Sequence, residues 1–182
     1  LGKLKIYKLA RKLLFLLPPE QSQNISHFFL KLFSGLYKSK QTHLHVKGLR
    51  VKNRLGLAAG LDKNARLINE FDNIGFGFVE VGTITPKAQY GNPKPRIKRL
   101  ISHESLLNSL GFPNEGVRSI KSRLKKVSGD ICLGVNIGPN KDTVPEEVIN
   151  DYLLCYEEVF EHADFVTINI SSPNTPNLRS LH

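Results

Sequence analysis

The 182-residue chain, 40% hydrophobic, is long enough to bury one domain's core and too apolar for a disordered segment. Two cysteines and six scattered histidines exclude a disulfide-built scaffold and a metal centre, since His43-x-His45 has the spacing of one strand face but no third ligand. The formal charge of +10 belongs to one end: residues 1–54 hold 12 Lys and Arg against Glu20 alone, while residues 55–182 hold 14 bases and 15 acids.

That basic end predicts two short amphipathic helices. In KLKIYKLARKLLFLLPP the residues Ile6, Leu9, Leu13 and Leu16 recur at helical spacing, with Lys5, Lys8 and Lys12 on the other side, until Pro18-Pro19 stops the run. A second run, ISHFFLKLFSGLY, carries Ile25, Phe29, Leu32 and Leu36 on one stripe, flanked by Phe28 and Phe33. Neither approaches the roughly 20 apolar residues of a spanning helix, and LLFLL meets Pro-Pro-Glu with no small-residue cleavage site. Two readings stand: a basic cap packed on the domain, or a module lying in the interface of an anionic membrane. Nucleic acid is disfavoured, because the phenylalanines follow the apolar stripe instead of interleaving with the bases.

From His43 the pattern changes. HLHVKGLRV predicts a hairpin turning at Lys47-Gly48. Strands are then expected at RLGLAAG, FGFVEVGTI, ICLGVNIG and FVTINIS, alternating with helices through NARLINEFDNI, EGVRSIKSRLKKV and PEEVINDYLLCYEEVFEHA; an irregular loop of some thirty residues follows the second strand. Strand–helix alternation predicts a parallel α/β sheet. All four strands end in small or amide residues, Ala59-Gly60, Gly82-Thr83, Asn136-Ile-Gly138 and Asn169-Ile-Ser-Ser172, which fits a β/α barrel, with chemistry at every strand's carboxyl end, better than a single-crevice open sheet. Such a barrel needs about 250 residues. With a start at Leu1 and no Met, the chain reads as a fragment, residues 1–40 being the two-helix module and 41–182 the first half of the barrel. Cys132 and Cys155 fall in apolar strand and helix patterns, so buried, reduced thiols and a cytoplasmic setting are expected.

LGLAAGLDKN has neither P-loop nor dinucleotide-fold glycine spacing. Its Ala-Ala-Gly lets a flat ligand approach the backbone; Asp62 is placed to cap the next helix and Lys63 to sit at the strand rim, or the motif is merely a tight turn. Asn108-Ser-Leu-Gly-Phe112 is placed to fold over a pocket. Asn136 and Asn169 should point their amides at one mouth, matching the donor–acceptor edge of a heterocycle. Ser172 precedes Pro173 and lacks the glycines of a hydrolase elbow.

Taken together, LGLAAGLDKN, VEVGTITPKAQYGNPKPRIKRL, NSLGFPNEG, GVNIGPNKDT and INISSPNTPNLRSL resemble, in order, the motifs of the class 2, quinone-dependent dihydroorotate dehydrogenases, over about Pro19 to His182. The resemblance implies a (β/α)8 TIM barrel holding FMN over its carboxyl face, oxidation of (S)-dihydroorotate to orotate in de novo pyrimidine (UMP) biosynthesis, and ubiquinone or menaquinone as electron acceptor. It assigns Ala59, Gly60, Leu61, Asp62, Lys63, Thr83, Asn136 and Asn169 to the flavin, and Lys63, Asn108, Ser109, Leu110, Gly111, Phe112, Asn169 and Asn174 to the pyrimidine. Ser172 falls on the family's catalytic base, removing the C5 proton as hydride leaves C6 for flavin N5. Class 1 relatives carry Cys there.

The same resemblance makes the two N-terminal helices a greasy tunnel for the quinone, with Arg99 guarding its inner end. It implies a peripheral membrane protein on the cytoplasmic face of the bacterial inner membrane, and puts the flavin phosphate site on strands after His182. One departure stands out: the family's Ala-His pair after Pro-Glu is absent from Pro19-Glu-Gln-Ser-Gln23. Two rivals remain, another FMN barrel linked to fumarate or NAD, and a phosphate-binding or structural half-barrel without catalysis.

Overall fold

The computed structural model describes residues 2–37 and 42–172; Asn174 lies outside them. The basic end forms two helices, α1 (Gly2–Phe15) and α2 (Pro19–Phe33). They part where expected: Pro18 adopts extended backbone as the N-cap, and Pro19 opens α2 at a position where its missing N–H costs no hydrogen bond.

The hairpin follows, with β1 (Leu44–Val46) antiparallel to β2 (Leu49–Val51). Lys47 and Gly48 both take positive φ, 48° and 86°, as a two-residue turn matching strand twist requires. Beyond it come β3 (Gly56–Leu57), α3 (Ile68–Asn73), β4 (Phe78–Ile84), β5 (Ile97–Leu100), β6 (Ser105–Asn108), α4 (Val117–Leu124), β7 (Cys132–Ile137), α5 (Val148–Val159) and β8 (Phe165–Ile168). Strands β3, β4, β7 and β8 form one parallel sheet in chain order. This α/β arrangement fits a fold of the TIM-barrel type.

The core lies between sheet and helices: Val79, Val81, Ile84, Val135 and Ile137 pack against Phe71, Ile120, Cys155 and Val159. β7 is buried at all six positions, the mark of a parallel strand covered on both faces. Gly134 sits mid-strand because the Phe165 ring of β8 occupies the space a Cβ would need, 2.1 Å away. Both cysteines are buried free thiols, pushed up by burial to about 11 for Cys132 and about 12 for Cys155.

Two expectations need correction. The helix expected through residues 64–74 begins only at Ile68, because the Asp62 carboxylate gathers the N–H groups of Asn64, Arg66 and Leu67 into a turn, with Ala65 at φ 54°. The long loop is not irregular throughout, since β5 and β6 pair within it as an antiparallel hairpin.

That hairpin carries the N-terminal helices. Arg96 pairs with Glu20 at 2.8 Å, and the Arg99 guanidinium donates to the carbonyls of Leu17 (2.8 Å), Phe15 and Leu14 and to Ser22 Oγ (2.9 Å), lying 4.5 Å over the Phe15 ring. A helix end leaves its last carbonyls unpaired, and Arg99 satisfies those of α1. The helices turn a mixed face inward: Ser22 is buried and Leu14, Gln23, His27 and Leu30 half-buried, whereas Leu9, Leu13, Leu16, Phe28, Leu32 and Leu36 stand exposed, Leu16 by 82%. No helix among the described residues is long and apolar enough to cross a membrane.

At the other end of the sheet Lys52, 4% exposed, is held between Asp72 (2.6 Å) and Asp130 (3.1 Å), with His43 and Arg50 also near Asp130. Burial acts against the Lys52 charge, but the two carboxylates outweigh it and raise its pKa; the Lys52 hydrogen bond chiefly lowers that of Asp130. A raised lysine stabilises below its unfolded value and loses that contribution as pH climbs through the folded one. A lowered aspartate contributes above its unfolded value and loses it as pH falls through the folded one. Lys52→Met should cost about 3 kcal/mol at neutral pH by leaving the half-buried Asp72 carboxylate without its cation. It should also shrink the stability lost below the ordinary aspartate range and above the ordinary lysine range, as urea denaturation across pH would register.

Candidate active site

The carboxyl ends of the four parallel strands meet in one place. β3 runs into Ala58-Ala59-Gly60, which presents backbone and methyl groups only. Gly60 N–H donates to Gly82 O (2.9 Å) and Gly82 N–H to Asp62 O (3.1 Å), tying the tips of β3 and β4. Gly82 has φ +114°, and any Cβ there would lie 2.4 Å from Asn136 O, so only glycine lets the tips of β4 and β7 approach.

Side chains extend this closure across the sheet. Thr83 Oγ1 donates to Asn136 Oδ1 (2.5 Å), Asn136 Nδ2 to Glu80 Oε1 (2.9 Å), and Asn169 Nδ2 to Thr83 Oγ1 (3.0 Å) and Asn136 Oδ1 (3.2 Å). The Tyr152 hydroxyl donates to Asn169 O (2.7 Å), and burial pushes its pKa up to about 12, so it stays a donor. Asn169 Oδ1 in turn accepts the Ser171 N–H (3.2 Å).

Apart from Asp62 and Tyr152, these groups line a cavity of about 560 Å³, floored by Ala58-Ala59-Gly60 and walled by Thr83, Asn136 and Asn169, with Ser172 buried at its edge. Asn108, Leu110, Gly111 and Phe112 also line it. Their loop is pinned by Gln89 Nε2, donating to Gly111 O and Phe112 O, and by Asn114 Nδ2, donating to Phe112 O.

The sequence-expected residues do not all converge. Ser109 is exposed and outside the cavity lining. The Asp62 carboxylate is buried and spent on backbone N–H groups, so its side chain is not offered to a ligand. Leu61 lines a neighbouring cavity instead. Glu80 and Tyr152 are not among the sequence-expected site residues: Glu80 lies inside VEVGTITPKAQYGNPKPRIKRL as a polar residue of an apolar strand, and Tyr152 carries no motif signal.

That neighbouring cavity, about 830 Å³, lies between the N-terminal helices and the β5–β6 hairpin and includes Arg99. Gly60, Lys63, Asn108 and Leu110 line both, so the two share a wall. Lys63 stands in it, its ammonium donating to Gly60 O. Burial lowers the Lys63 pKa, with the Arg96 charge adding to the effect and Glu20 and Asp62 opposing it.

A flat ring with donors and acceptors along its edge suits the first cavity: its floor has no side chain beyond methyl, and its wall offers amides, a hydroxyl and an ammonium. The second suits a larger apolar molecule.

Comparison with known proteins agrees with this geometry. The family model described as Dihydroorotate dehydrogenase matches residues 41–182. The chain is 49% identical over 183 residues to a Dihydroorotate dehydrogenase (quinone) of Pseudomonas syringae pv. syringae (strain B728a), and 50% identical over 185 residues to that of Marinomonas sp. (strain MWYL1), covering in each case 97% of this chain and 53% of the relative. It thus spans about half the length of the curated relatives it matches. Among solved structures, the DHODH of Eimeria tenella in complex with ferulenol superposes with a TM-score of 0.79 at 40% identity, over 90% of this chain and 46% of that one. The matched region contains the parallel sheet and every strand tip of the polar cavity, and on that ground the chain belongs to the dihydroorotate dehydrogenase family.

Proposed function

We propose that the protein containing this chain oxidises (S)-dihydroorotate to orotate with FMN in the polar cavity, and passes the electrons to ubiquinone or menaquinone in the adjoining apolar one. The observation that carries this reading is the shared wall: Gly60, Lys63, Asn108 and Leu110 border both cavities, so a ring in one lies beside a molecule in the other. FMN bound there would supply the two-electron acceptor that a carbon–hydrogen bond cannot find among side chains.

The chain's own residues do the rest. Ala59 and Gly60 admit the ring face, and Thr83, Asn136 and Asn169 hold its polar edge in a network already fixed before binding. Lys63 brings a cation toward the substrate carboxylate, and Asn108 and Asn169 orient the pyrimidine. Ser172 removes the C5 proton. A serine is a weak base in water, so its efficacy depends on placement in a closed site.

The exposed apolar stripe of α1 and α2, with lysines alongside, supports peripheral attachment of the two-helix module to an anionic membrane, on the cytoplasmic face of a bacterial inner membrane. Replacing Leu9, Leu16 and Leu32 with Glu should weaken binding to vesicles of anionic phospholipid at least about tenfold, since each buried Leu is worth about 1.5–3 kcal/mol; flotation measures it. The function itself is tested by incubating the full-length protein with dihydroorotate and a soluble ubiquinone analogue. Orotate and quinol should appear in equal amounts, and orotate formation supported by NAD or fumarate in place of quinone would favour a different branch of the flavin barrels.

A further inference from the structure

Gln89 does not line the polar cavity, yet its half-buried side chain spends its whole hydrogen-bonding capacity beside it. Nε2 donates to Gly111 O (3.1 Å) and Phe112 O (3.2 Å), and Oε1 accepts from Asn140 Nδ2 (2.9 Å) and the Lys141 N–H (3.0 Å). The backbone is engaged as well: Gln89 N–H donates to Asn114 O (2.9 Å) and Asn114 N–H to Gln89 O (3.0 Å). One residue of the segment after β4 thus ties residues 111–114 to the loop that leaves β7. Two carbonyls on one side and two N–H donors on the other are what a primary amide satisfies; a carboxylate of the same shape would set oxygen against both carbonyls.

The segment so held has a backbone it would not keep unaided. Gly111 and Phe112 take left-handed conformations in succession, φ 67° and 50°, and for Phe112 this is uncommon because its Cβ crowds the chain. Both carbonyls that Gln89 binds belong to these two residues, and Asn114 Nδ2 adds a bond to Phe112 O (2.8 Å). Gly111 and Phe112 line the cavity, and the Phe112 ring reaches the tip of β7, where a Cβ on Gly138 would lie 3.3 Å from it. Freed of its bonds the segment can relax to commoner backbone. A site that holds its binding shape only part of the time binds its ligand more weakly in proportion.

We propose that Gln89 is a positioning residue for the pyrimidine: its amide holds Gly111 and Phe112 in the left-handed backbone that shapes the substrate end of the polar cavity. The inference rests on the pyrimidine reading of that cavity given above. Gln89 acts through the loop alone, without touching substrate or flavin.

The test uses the full-length holoprotein and reads binding besides turnover. Gln89→Glu is isosteric and keeps the acceptor for Asn140 and Lys141 while losing both donors; Gln89→Leu loses all four bonds. Each should raise the Kd of orotate, measured by calorimetry on the oxidised protein, and the KM for dihydroorotate about tenfold. The affinity for FMN should stay within twofold, because Gln89 bonds to none of Ala59, Gly60, Thr83, Asn136 and Asn169. An orotate Kd for Gln89→Glu within twofold of the unaltered protein, or an equal loss of FMN affinity, overturns the role of Gln89. Unaltered protein that binds FMN but no orotate overturns the pyrimidine reading itself, and Gln89 with it.

Discussion

Ser172→Ala is expected to slow flavin reduction by dihydroorotate about 10²- to 10⁴-fold, the span that a positioned general base contributes, with the flavin still bound. Ser172 is buried at the edge of the polar cavity, beyond the tip of β8, where Asn169 turns the chain by accepting the Ser171 N–H. In the proposed site the ring is held by other lining residues, Ala59, Gly60, Thr83, Asn136 and Asn169, so removing one hydroxyl should leave it bound. Anaerobic stopped-flow mixing of the full-length variant with dihydroorotate reads the effect directly. Reduction at the unaltered rate would mean that another group takes the C5 proton.

The second large effect concerns the N-terminal helices. Removing residues 1–40 from the full-length protein takes away one whole side of the apolar cavity, including Phe15, Pro19, Gln23, His27 and Leu30. Turnover with a quinone should fall at least about a hundredfold, because the acceptor loses both its apolar walls and its orientation beside the shared wall. Reduction of the flavin by dihydroorotate should persist, since none of the described residues of the polar cavity comes from this segment. The anchoring contacts to be lost, Glu20 with Arg96 and Ser22 with Arg99, are made to the β5–β6 hairpin and not to the parallel sheet. Undiminished quinone turnover would detach these helices from electron transfer altogether.

The sequence was most legible where local rules and tertiary structure agree. The Lys47-Gly48 turn, the proline break before α2, the four parallel strands and the buried cysteines each follow from one residue type at one spacing. So did the convergence of Asn136 and Asn169, because strand ends in a parallel sheet point one way. The β5–β6 hairpin was not legible: its strands are four residues each, sit in a proline- and lysine-rich loop, and gain support from Arg96 and Arg99 reaching a helix some eighty residues earlier. Asp62 misled for a similar reason. Its spacing suits a helix cap, but three backbone N–H groups draw the chain into a turn that delays the helix to Ile68. Lys52 carries no signal of its own among the bases of residues 1–54, and its burial depends on Asp72 and Asp130, which no local pattern links to it.

The inward face of the N-terminal helices was also hidden. Periodicity identified the greasy stripes correctly, but gave no sign that α2 would turn Ser22, Gln23 and His27 toward the body and leave Phe28 and Leu32 outside. Amphipathicity tells which residues share a face and leaves open which face meets protein.

Everything proposed for the site turns on a flat redox ring seated against Ala59 and Gly60, between Lys63 and the Thr83–Asn136–Asn169 network. Anaerobic titration of the purified full-length protein with dihydroorotate, followed by visible absorbance, tests this most directly. A yellow protein whose flavin bands bleach with one equivalent of substrate, releasing one of orotate, is the predicted result. A colourless protein that takes up no added FMN, or a flavin that dihydroorotate leaves oxidised, would contradict it.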